Sequence, residues 1–489
     1  MKLAACAFAL LVLCVAGEAR AQAVLGHLEL QWGDPAKAAI VKTSAAAALR
    51  PPLFRATLVT DLGERIALDP DQARRAAGDL YALGGRRVAV EFSYDKSAIR
   101  SAATRNGVSI IVPADEAGGD RQHPWAGKVH AVPKAMDGSK RWLTVACRFA
   151  DVAAEPLTVQ SLRDAYGSLP GRLDHYWREV SYGRIDLQGS DALGWYALPH
   201  PRSHYVTSAG ANLQALSADC RAAAPAASVA SAFGINLVFN GELDGYAHGG
   251  FSCWTSGGST SCERTTWNPP WAVENLAVLA HEMGHGFGLP HSDNSDGDAD
   301  PYDNPWDLMS SIWSNAVQDG TWGTRPKHLN ILQRDRLGWV APARKRVLGP
   351  GLARTRVTLD YASIDAAQSG NIQMLVLQAS GAPDPYRHAV YTVEARRRSG
   401  EYEAALAGDA VIVHAVEGDY SAEARSQDAD RPPADLSNNE GSMFKVGESW
   451  VSPDGLFSVY VESATATGFV VVVAPDPKVT GGPGPRRRK

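Results

Sequence analysis

The amino-acid sequence predicts a multidomain α+β protein with a β-rich N-terminal domain, a central α/β domain and a C-terminal β-sandwich. Three observations support this architecture. Short alternating or apolar segments, separated by Gly, Asp and Pro, fill residues 22–140. Strand-like and helix-like segments intermix over residues 141–343, around one apolar helix without a breaker. Over residues 344–476 the pattern is that of strands and turns alone.

The first 21 residues, MKLAACAFALLVLCVAGEARA, have the features of a secretory signal peptide. Lys2 precedes an apolar run of about a dozen residues, and Ala19 and Ala21 form a small-residue cleavage site. The run is too short to span a bilayer, and no later segment reaches that length. We therefore expect the mature chain to be secreted or periplasmic, without an integral membrane segment.

The region over residues 22–140 combines strand-like segments with one helical segment over Asp71–Leu83. Its pattern is compatible with a small β-barrel, with a pro-segment, or with both. The chain as a whole has a net charge of −5, which implies no broad basic surface. Nucleic acid is therefore not an expected partner.

Four cysteines remain once the signal peptide is removed: Cys147, Cys220, Cys253 and Cys262. An even number of cysteines in an exported protein favours disulfide bonds. Cys253 and Cys262 bracket a short Gly/Ser loop, so we expect them to pair and to leave Cys147 with Cys220. Three connectivities are possible for four cysteines. Zinc binding by these thiols is the alternative, but no C-x-x-C pair supports it.

The segment HEMGHGFGLPH spaces His281, Glu282, His285, Gly288 and His291 as H-E-x-x-H-x-x-G-x-x-H. Residues four apart on a helix share one face, so the first two histidines can bind one metal ion. The glycine is suited to end the helix, because it adopts the left-handed conformation freely. The chain can then turn back and supply the third imidazole.

Three protein ligands and one open position are typical of a catalytic zinc site. Glu282 is not needed as a ligand and can reach a water molecule at the open position. A charged helix face without function is the alternative for a lone H-E-x-x-H segment. The additional glycine and third histidine favour the zinc site, since such a match arises by chance in about one of 10⁴ chains or fewer.

This motif resembles the signature of the metzincin metalloproteases, in which the same pattern is followed by a Met-turn. In that family the methionine lies beneath the three imidazoles. The matching position is Met309 in PWDLMSS, because Met283 lies inside the motif helix and suits core packing. Some metzincins have an additional tyrosine ligand two residues after the methionine. Ser311 occupies that position here, so we expect no such ligand.

Further segments resemble the secreted peptidases of the gametolysin and immune-inhibitor-A type: YWREVSYG, GWYALP, RLGWV, VYTVEARRRSG and GDAVIVHAV. The resemblance implies a catalytic domain over residues 141–343 and a β-sandwich domain over residues 344–476. The basic tail over residues 477–489 lies beyond the matching region, and we expect it to be disordered. It also implies that an edge strand binds the substrate backbone, either Gly234–Gly241 or its neighbour near Tyr246–Gly250.

The function that the resemblance implies is a secreted zinc endopeptidase acting on proteins or peptides. Glu282 would be the general base that activates a water for attack on the peptide bond. Relatives of this kind are often held inactive by a pro-segment, sometimes through a cysteine that caps the zinc. No cysteine occurs over residues 22–146, which excludes a cysteine cap from this region. The alternative function is an exported β-rich binding protein with a vestigial zinc site.

The segment between His291 and Met309 is rich in aspartate, including Asp296, Asp298 and Asp300. Carboxylate oxygens crowded on one loop can bind Ca²⁺. The spacing does not match an EF-hand loop, and a solvated acidic loop is the favoured alternative. Calcium is therefore a possible second cofactor beside one catalytic zinc ion.

Overall fold

The computed structural model places secondary structure in three consecutive parts of the chain. Strands make up 38% of the described residues and helices 19%, which is compatible with an α+β protein. The predicted signal peptide and the predicted basic tail lie outside the described residues. Within the described residues, no helix is long and apolar enough to cross a membrane. The described residues are 23–36, 51–94, 105–115, 135–298, 300–349, 351–378, 390–416, 423–430 and 439–475.

The N-terminal part forms strands around its own apolar core, which includes Leu28, Leu30 and Trp32. The helix predicted over residues 71–83 ends early, and Tyr81–Leu83 forms a separate 3-10 turn. Asp79 explains the break, because its side chain accepts hydrogen bonds from the backbone N–H groups that open that turn. The elements are β1 (Val24–Pro35), β2 (Leu53–Thr60), β3 (Arg65–Leu68), the helix Pro70–Ala76, β4 (Arg87–Tyr94) and β5 (Arg105–Pro113).

The central part contains most of the helices. Its strands are β6 (Gly138–Ser139), β7 (Trp142–Arg148), β8 (Ile185–Asp186), β9 (Asp191–Ala197), β10 (Val206–Thr207), β11 (Gly210–Ala211), β12 (Gly234–Phe239), β13 (Tyr246–Ser256), β14 (Ser259–Asn268), β15 (Ser292–Asn294), β16 (Gln318–Asp319) and β17 (Gly323–Thr324). Its helices are Val159–Asp164, Leu173–Val180, Arg202–Tyr205, Leu213–Ala223, Ala226–Ala230, Pro270–Val273, Leu276–Gly286 and Ile331–Arg336.

One ten-stranded sheet joins the N-terminal and central parts. Its main order is β3-β2-β1-β13-β14-β12-β7-β9, with β4 paired to β1 and β5 paired to β4. The junction is the antiparallel pairing of β1 with β13. The two strands considered for substrate binding are β12 and β13. Strand β12 lies inside the sheet, between β14 and β7. Of the two, only β13 borders the N-terminal part. The N-terminal strands therefore extend the central sheet.

The four cysteines lie in two pairs at disulfide distance, as the sequence favours. Cys253 on β13 lies directly opposite Cys262 on β14, with Cα atoms 4.0 Å apart. Cys147 on β7 and Cys220 on the helix Leu213–Ala223 have Cα atoms 5.9 Å apart. The first pair closes the hairpin next to the N-terminal strands, and the second attaches a helix to the sheet.

The C-terminal part forms two sheets that share one core, which includes Leu375, Val413, Val459 and Val471. The larger sheet has the order β15-β23-β22-β21-β20-β18 and the smaller has the order β19-β26-β25-β24. The strand β15 comes from the central part. The other elements are β18 (Lys345–Leu348), β19 (Thr355–Asp360), β20 (Met374–Gln378), β21 (Val390–Arg396), the helix Gly400–Glu403, β22 (Ala410–Val416), β23 (Ala424–Ser426), β24 (Ser449–Val451), β25 (Ser458–Ala464) and β26 (Gly468–Ala474).

Candidate metal centre

The helix Leu276–Gly286, called the motif helix below, carries the first part of the histidine motif. Every one of its residues is buried, because it packs against β13 and β14 of the sheet. The last helical residue is Gly286, and Gly288 then takes a left-handed conformation with φ of +90°. The sequence predicted this role for Gly288. The reversal brings His291 back beside the helix.

The imidazoles of His281, His285 and His291 converge on one point. The Nε2 atom of His285 lies 3.1 Å from that of His281 and 3.2 Å from that of His291. The Nδ1 atoms of His281 and His285 each lie 2.8 Å from a backbone carbonyl oxygen, of Leu308 and Leu289 respectively. A carbonyl can only accept, so each Nδ1 carries the proton and each Nε2 presents a lone pair. This is the tautomer that a metal ligand needs.

Asp34, at the end of β1, is a fourth member of this cluster that the sequence did not indicate. Its Oδ1 atom lies 2.7 Å from Nε2 of His291 and 3.5 Å from Nε2 of His281. Its Oδ2 atom lies 3.3 Å from Nε2 of His285. Burial favours the neutral form of Asp34, but the imidazoles of His291 and His281 outweigh it and hold the Asp34 pKa well below its ordinary value.

These four side chains, the metal group below, form a set that could hold a metal ion. One ligand atom from each lies within 4.8 Å of the others, and all four residues are buried. Their donors are three imidazole nitrogens and a carboxylate oxygen, a set that suits zinc. The Oδ2 atom of Asp34 has no hydrogen-bond partner within the described residues, as expected of an oxygen that binds an ion.

Glu282 is fully buried beside the metal group without being part of it. Neither carboxylate oxygen has a hydrogen-bond partner within the described residues. Burial, and secondly the neighbouring Asp34 carboxylate, raises the pKa of Glu282 well above its ordinary value. Gly249 on β13 leaves room for it, because a Cβ atom there would lie only 2.8 Å from Oε2 of Glu282. The carboxyl group is thus kept free and close to the histidines.

Met309 lies beneath the motif helix, fully buried, as the resemblance implies for a Met-turn. A Cβ atom on Gly284 would lie 2.5 Å from its sulfur, so the helix and the methionine are in close contact between His281 and His285. Met283 is also buried, in the core cluster of the central part. That position suits the packing role that the sequence suggested for it.

Asp307 holds the Met-turn in place. It accepts hydrogen bonds from Ser292 Oγ at 2.8 Å, from Asn330 Nδ2 at 2.7 Å and from the backbone N–H of Met309 at 3.2 Å. The backbone N–H of Ser292 in turn donates to the Met309 carbonyl oxygen at 3.0 Å. The segments that follow His291 and precede Met309 are therefore cross-linked to each other.

Two aromatic side chains that the sequence did not single out also contact the metal group. The ring of Trp32 stacks on His285, with centroids 4.5 Å apart and planes 5° apart. Tyr302 Oη donates a hydrogen bond of 2.7 Å to Asp34 Oδ1. Ser311, where some metzincins have a tyrosine, is buried outside the metal group. A tyrosine thus approaches the site from a different position in the chain.

The aspartate-rich segment after His291 brings Asp296, Asp298 and Asp303 together, with carboxylate oxygens within 4.8 Å of one another. Only 1% of Asp303 is exposed, and its Oδ2 atom has no hydrogen-bond partner within the described residues. Burial, and secondly the Asp293 carboxylate, raises the pKa of Asp303 to about 10. Asp300, which the sequence placed with this group, instead accepts from the backbone N–H of Tyr302.

Comparisons of the chain with protein-family models, with curated proteins and with solved structures gave no match. The chemistry of the metal group and of Glu282 is therefore the basis for inferring a function.

Proposed function

We propose that this chain is a secreted zinc-dependent endopeptidase of the metzincin type. The observation that carries the proposal is the convergence of the three Nε2 atoms of His281, His285 and His291 next to the carboxyl of Glu282, which has no hydrogen-bond partner in the described part of the chain. A purely structural metal site has no use for a buried carboxyl group that makes no hydrogen bond, because burying such a group costs free energy.

The three histidines would hold the zinc ion, each through Nε2. When bound, zinc polarises the carbonyl of the scissile bond and lowers the pKa of a coordinated water toward neutrality. The carbonyl oxygens of Leu308 and Leu289 fix the orientation of two of the imidazoles through their Nδ1–H groups. Met309 lies against the motif helix at Gly284, between the same two ligands in the chain.

Glu282 would accept a proton from the attacking water and deliver it to the leaving amine. Its raised pKa suits the second half of this task, because a carboxyl that holds a proton can act as an acid. Part of that rise comes from the charge of Asp34. Displacement of Asp34 would therefore lower the Glu282 pKa and favour the ionised carboxylate, which is the form that accepts a proton from the water.

A peptide substrate is favoured by the strand that borders the metal group. Residues 31–35 of β1 already lie against β13 in an extended, antiparallel arrangement. An extended substrate segment could form the same backbone hydrogen bonds with β13. This arrangement favours peptide bonds, flanked by extended chain, as the bonds that are cleaved.

We also propose the domain roles that the resemblance implies. Residues 141–343 would be the catalytic domain and residues 344–476 a β-sandwich, while residues 22–140, which the resemblance does not cover, would be a β-rich N-terminal domain or a pro-segment. Export is supported by the two disulfide-bonded cysteine pairs, which persist in oxidising compartments.

The alternative is a binding protein in which the metal has only a structural role. One observation favours it: together with Asp34, the histidines make four protein ligands, which is typical of closed structural sites. The two functions differ in whether Glu282 is needed for turnover.

The test measures cleavage of an unfolded, fluorescently labelled protein by the mature chain and by its Asp34→Ala variant. Each is compared with a Glu282→Gln version, and Glu274→Gln, an exposed residue just before the motif helix, is the matched control. Zinc content is measured on every sample. We expect Glu282→Gln to lower the cleavage rate by about 10² to 10⁴ while zinc is retained, since this is the usual contribution of a general base.

Cleavage by neither the mature chain nor the Asp34→Ala variant, with zinc bound in both, would overturn the peptidase proposal. Cleavage that persists in Glu282→Gln would also contradict it. A zinc chelator should abolish the activity, and added zinc should restore it.

A further inference from the structure

We propose that the outer edge of β14 binds an extended peptide segment of another protein and that Arg264 recognises an acidic side chain of that segment. The outer edge is the side of residues 259–263 that faces away from β13. It lies apart from the metal group, with which it shares no residue. The inference does not rest on the proposed function, because binding at this edge requires no cleavage.

The first part of β14 has a strand partner on one side only, within the residues that the structure describes. β13 pairs with β14 from Ser259 onward, whereas β12 joins the other side only at Arg264. Cys253 and Cys262 lie opposite each other with Cα atoms 4.0 Å apart, the close spacing of a pair that does not exchange backbone hydrogen bonds. The backbone N–H and C=O of Cys262 therefore point away from β13, toward the outer edge.

A pocket of about 670 Å³ opens against this edge. Its walls come from the end of the helix Leu213–Ala223, from residues 226–233 and from the hairpin of β13 and β14. Cys262 is one of the residues that line it, so its outward-facing backbone groups border the pocket. A strand edge with unpaired backbone groups beside an open pocket is a place where an extended peptide can add as a further strand.

Arg264 supplies a positive charge on one face of this edge. Its guanidinium lies over the Phe233 ring, 4.2 Å from the centroid. Its buried Nε atom has no hydrogen-bond partner within the described residues. Burial lowers the pKa of Arg264 to about 10, and no described carboxylate offsets that effect. Burying a guanidinium in this way costs free energy, and a ligand carboxylate would offset the cost.

The other face of the edge already has balanced charges. Glu263 follows Cys262 on β14 and points to the face opposite that of Arg264, because side chains alternate along a strand. Its carboxylate pairs with Arg221 at 2.8 Å. The Arg221 guanidinium lies over the Trp254 ring, 3.6 Å from the centroid. Among the described residues that line the pocket, the arginine without a carboxylate partner is therefore the one on the Arg264 face.

The two faces define the ligand. Side chains of an added strand alternate between the faces of the sheet that it joins. A Glu or Asp on the Arg264 face can accept two N–H groups from the planar guanidinium. The residues before and after it in the peptide would meet the Trp254 face, where an aromatic ring favours apolar side chains. The segment that fits is extended, with one acidic residue between two apolar ones.

The experiment measures peptide binding by calorimetry. The parent protein is the full mature chain with Glu282→Gln, so that the probes are not cleaved. The probe is the blocked pentapeptide Thr-Val-Glu-Val-Thr, and its matched control has Gln in place of Glu. Arg264→Met removes the charge but keeps most of the stem, and Arg264→Lys keeps the charge without the planar fork. Arg346→Met, at an exposed arginine of β18, is the control variant.

Two further probes test strand addition directly. Each carries a single N-methyl group, placed on one of two successive amides of the Glu peptide. Successive N–H groups of a strand point to opposite sides, so only one of the two amides can face β14. A methyl group on that amide removes a hydrogen bond to the edge, whereas a methyl group on the other amide points away from it.

We expect the parent and Arg346→Met to bind the Glu peptide about 10- to 100-fold more tightly than the Gln peptide, the usual effect of a hydrogen bond to a charged group. Arg264→Met should bind the two peptides equally, and Arg264→Lys should keep a smaller preference for Glu. One N-methylated probe should lose binding to the parent, and the other should keep it.

Equal binding of the Glu and Gln peptides by the parent, or no binding of either at millimolar concentration, would overturn the inference. A preference for Glu that persists in Arg264→Met would also overturn it. Equal binding of the two N-methylated probes would exclude strand addition to β14. Thermal unfolding identifies a variant that has lost its fold. If Arg264→Met is such a variant, an undiminished preference for Glu in Arg264→Lys is the contradicting result.

Discussion

Asp34 and His291 lie 257 positions apart in the chain, yet Oδ1 of Asp34 is 2.7 Å from Nε2 of His291. The contact is made by the last residues of β1, a strand that the N-terminal part presents to the central sheet. An interaction over this separation requires both parts to be folded, because neither segment positions the other locally. The state of the metal group is therefore linked to the folding of the N-terminal part.

Gly249 should not tolerate a side chain. In Gly249→Ala the new Cβ atom would lie 2.5 Å from the Glu282 carbonyl oxygen and 2.8 Å from its Oε2 atom. We expect a loss of stability of about 1 to 3 kcal/mol, the usual cost of overpacking. When Gly249→Ala is added to the Asp34→Ala variant, we expect the cleavage rate to fall by a larger factor than the zinc content. Both quantities are measured on the same samples. Gly320→Ala is the control and should change neither quantity, because its new Cβ atom would meet no described residue other than its chain neighbours within 4 Å.

Met309 should contribute to both stability and metal affinity. Met309→Ala leaves a cavity beneath the motif helix, and we expect a loss of about 2 to 5 kcal/mol. Met309→Leu conserves most of the volume and should cost less than about 1.5 kcal/mol. Chemical unfolding and the chelator concentration that removes half the zinc would measure the two effects. Equal behaviour of both variants would contradict a packing role for this side chain.

Glu394 should make the protein less stable above about pH 7 than below pH 4.5. It is fully buried, neither of its oxygens has a hydrogen-bond partner within the described residues, and burial raises its pKa from 4.5 to about 7. The folded state therefore keeps the proton longer than the unfolded state, and the free energy of unfolding falls as the pH rises from 4.5 to about 7. The change corresponds to about 3 kcal/mol for a fully buried group.

Glu394→Gln should remove this dependence. We expect its thermal unfolding midpoint to exceed that of the parent chain at pH values above the Glu394 pKa and to match it below 4.5. Glu64→Gln, at an exposed position, is the control. It should leave the difference in unfolding midpoint between the two pH ranges as it is in the parent chain. A Glu394→Gln chain with the parent pH dependence would rule out Glu394 as its source.

Calcium should raise the thermal unfolding midpoint through the group of Asp296, Asp298 and Asp303. Oδ2 of Asp303 has no hydrogen-bond partner within the described residues, and a bound cation would give it one. A cation would also favour the ionised form of Asp303, whose pKa its surroundings raise, and so stabilise the folded state. We expect Asp303→Asn to abolish the shift and Asp300→Asn to keep it, because Asp300 is not one of the three. Absence of any shift with Ca²⁺ in the parent chain would favour the solvated acidic loop.

The local part of the site could be predicted from the sequence. His281 and His285 are one helical turn apart, and the glycine two residues after the helix brings His291 back, so their convergence follows from short-range geometry. The pairing of Cys253 with Cys262 is local in the same sense, since a tight hairpin places them opposite each other.

Asp34 could not be found in this way. The strand pattern HLELQW identified the middle of β1, but which strand β1 would pair with depends on tertiary packing between distant segments. The same holds for Trp32 and Tyr302. The available signal was modest: an aspartate directly after an apolar strand and next to Pro35, which marks only a strand end.

The strand β15 contains the three residues that follow His291, and it pairs in parallel with β23, more than a hundred residues later in the chain. A gene shortened after residue 343 would therefore encode all three histidines but not the neighbour that holds the chain leaving the third. Such a product would be expected to bind metal weakly, whatever its fold elsewhere. Exchanging the last sheets for those of another protein would likewise be a change to the metal site.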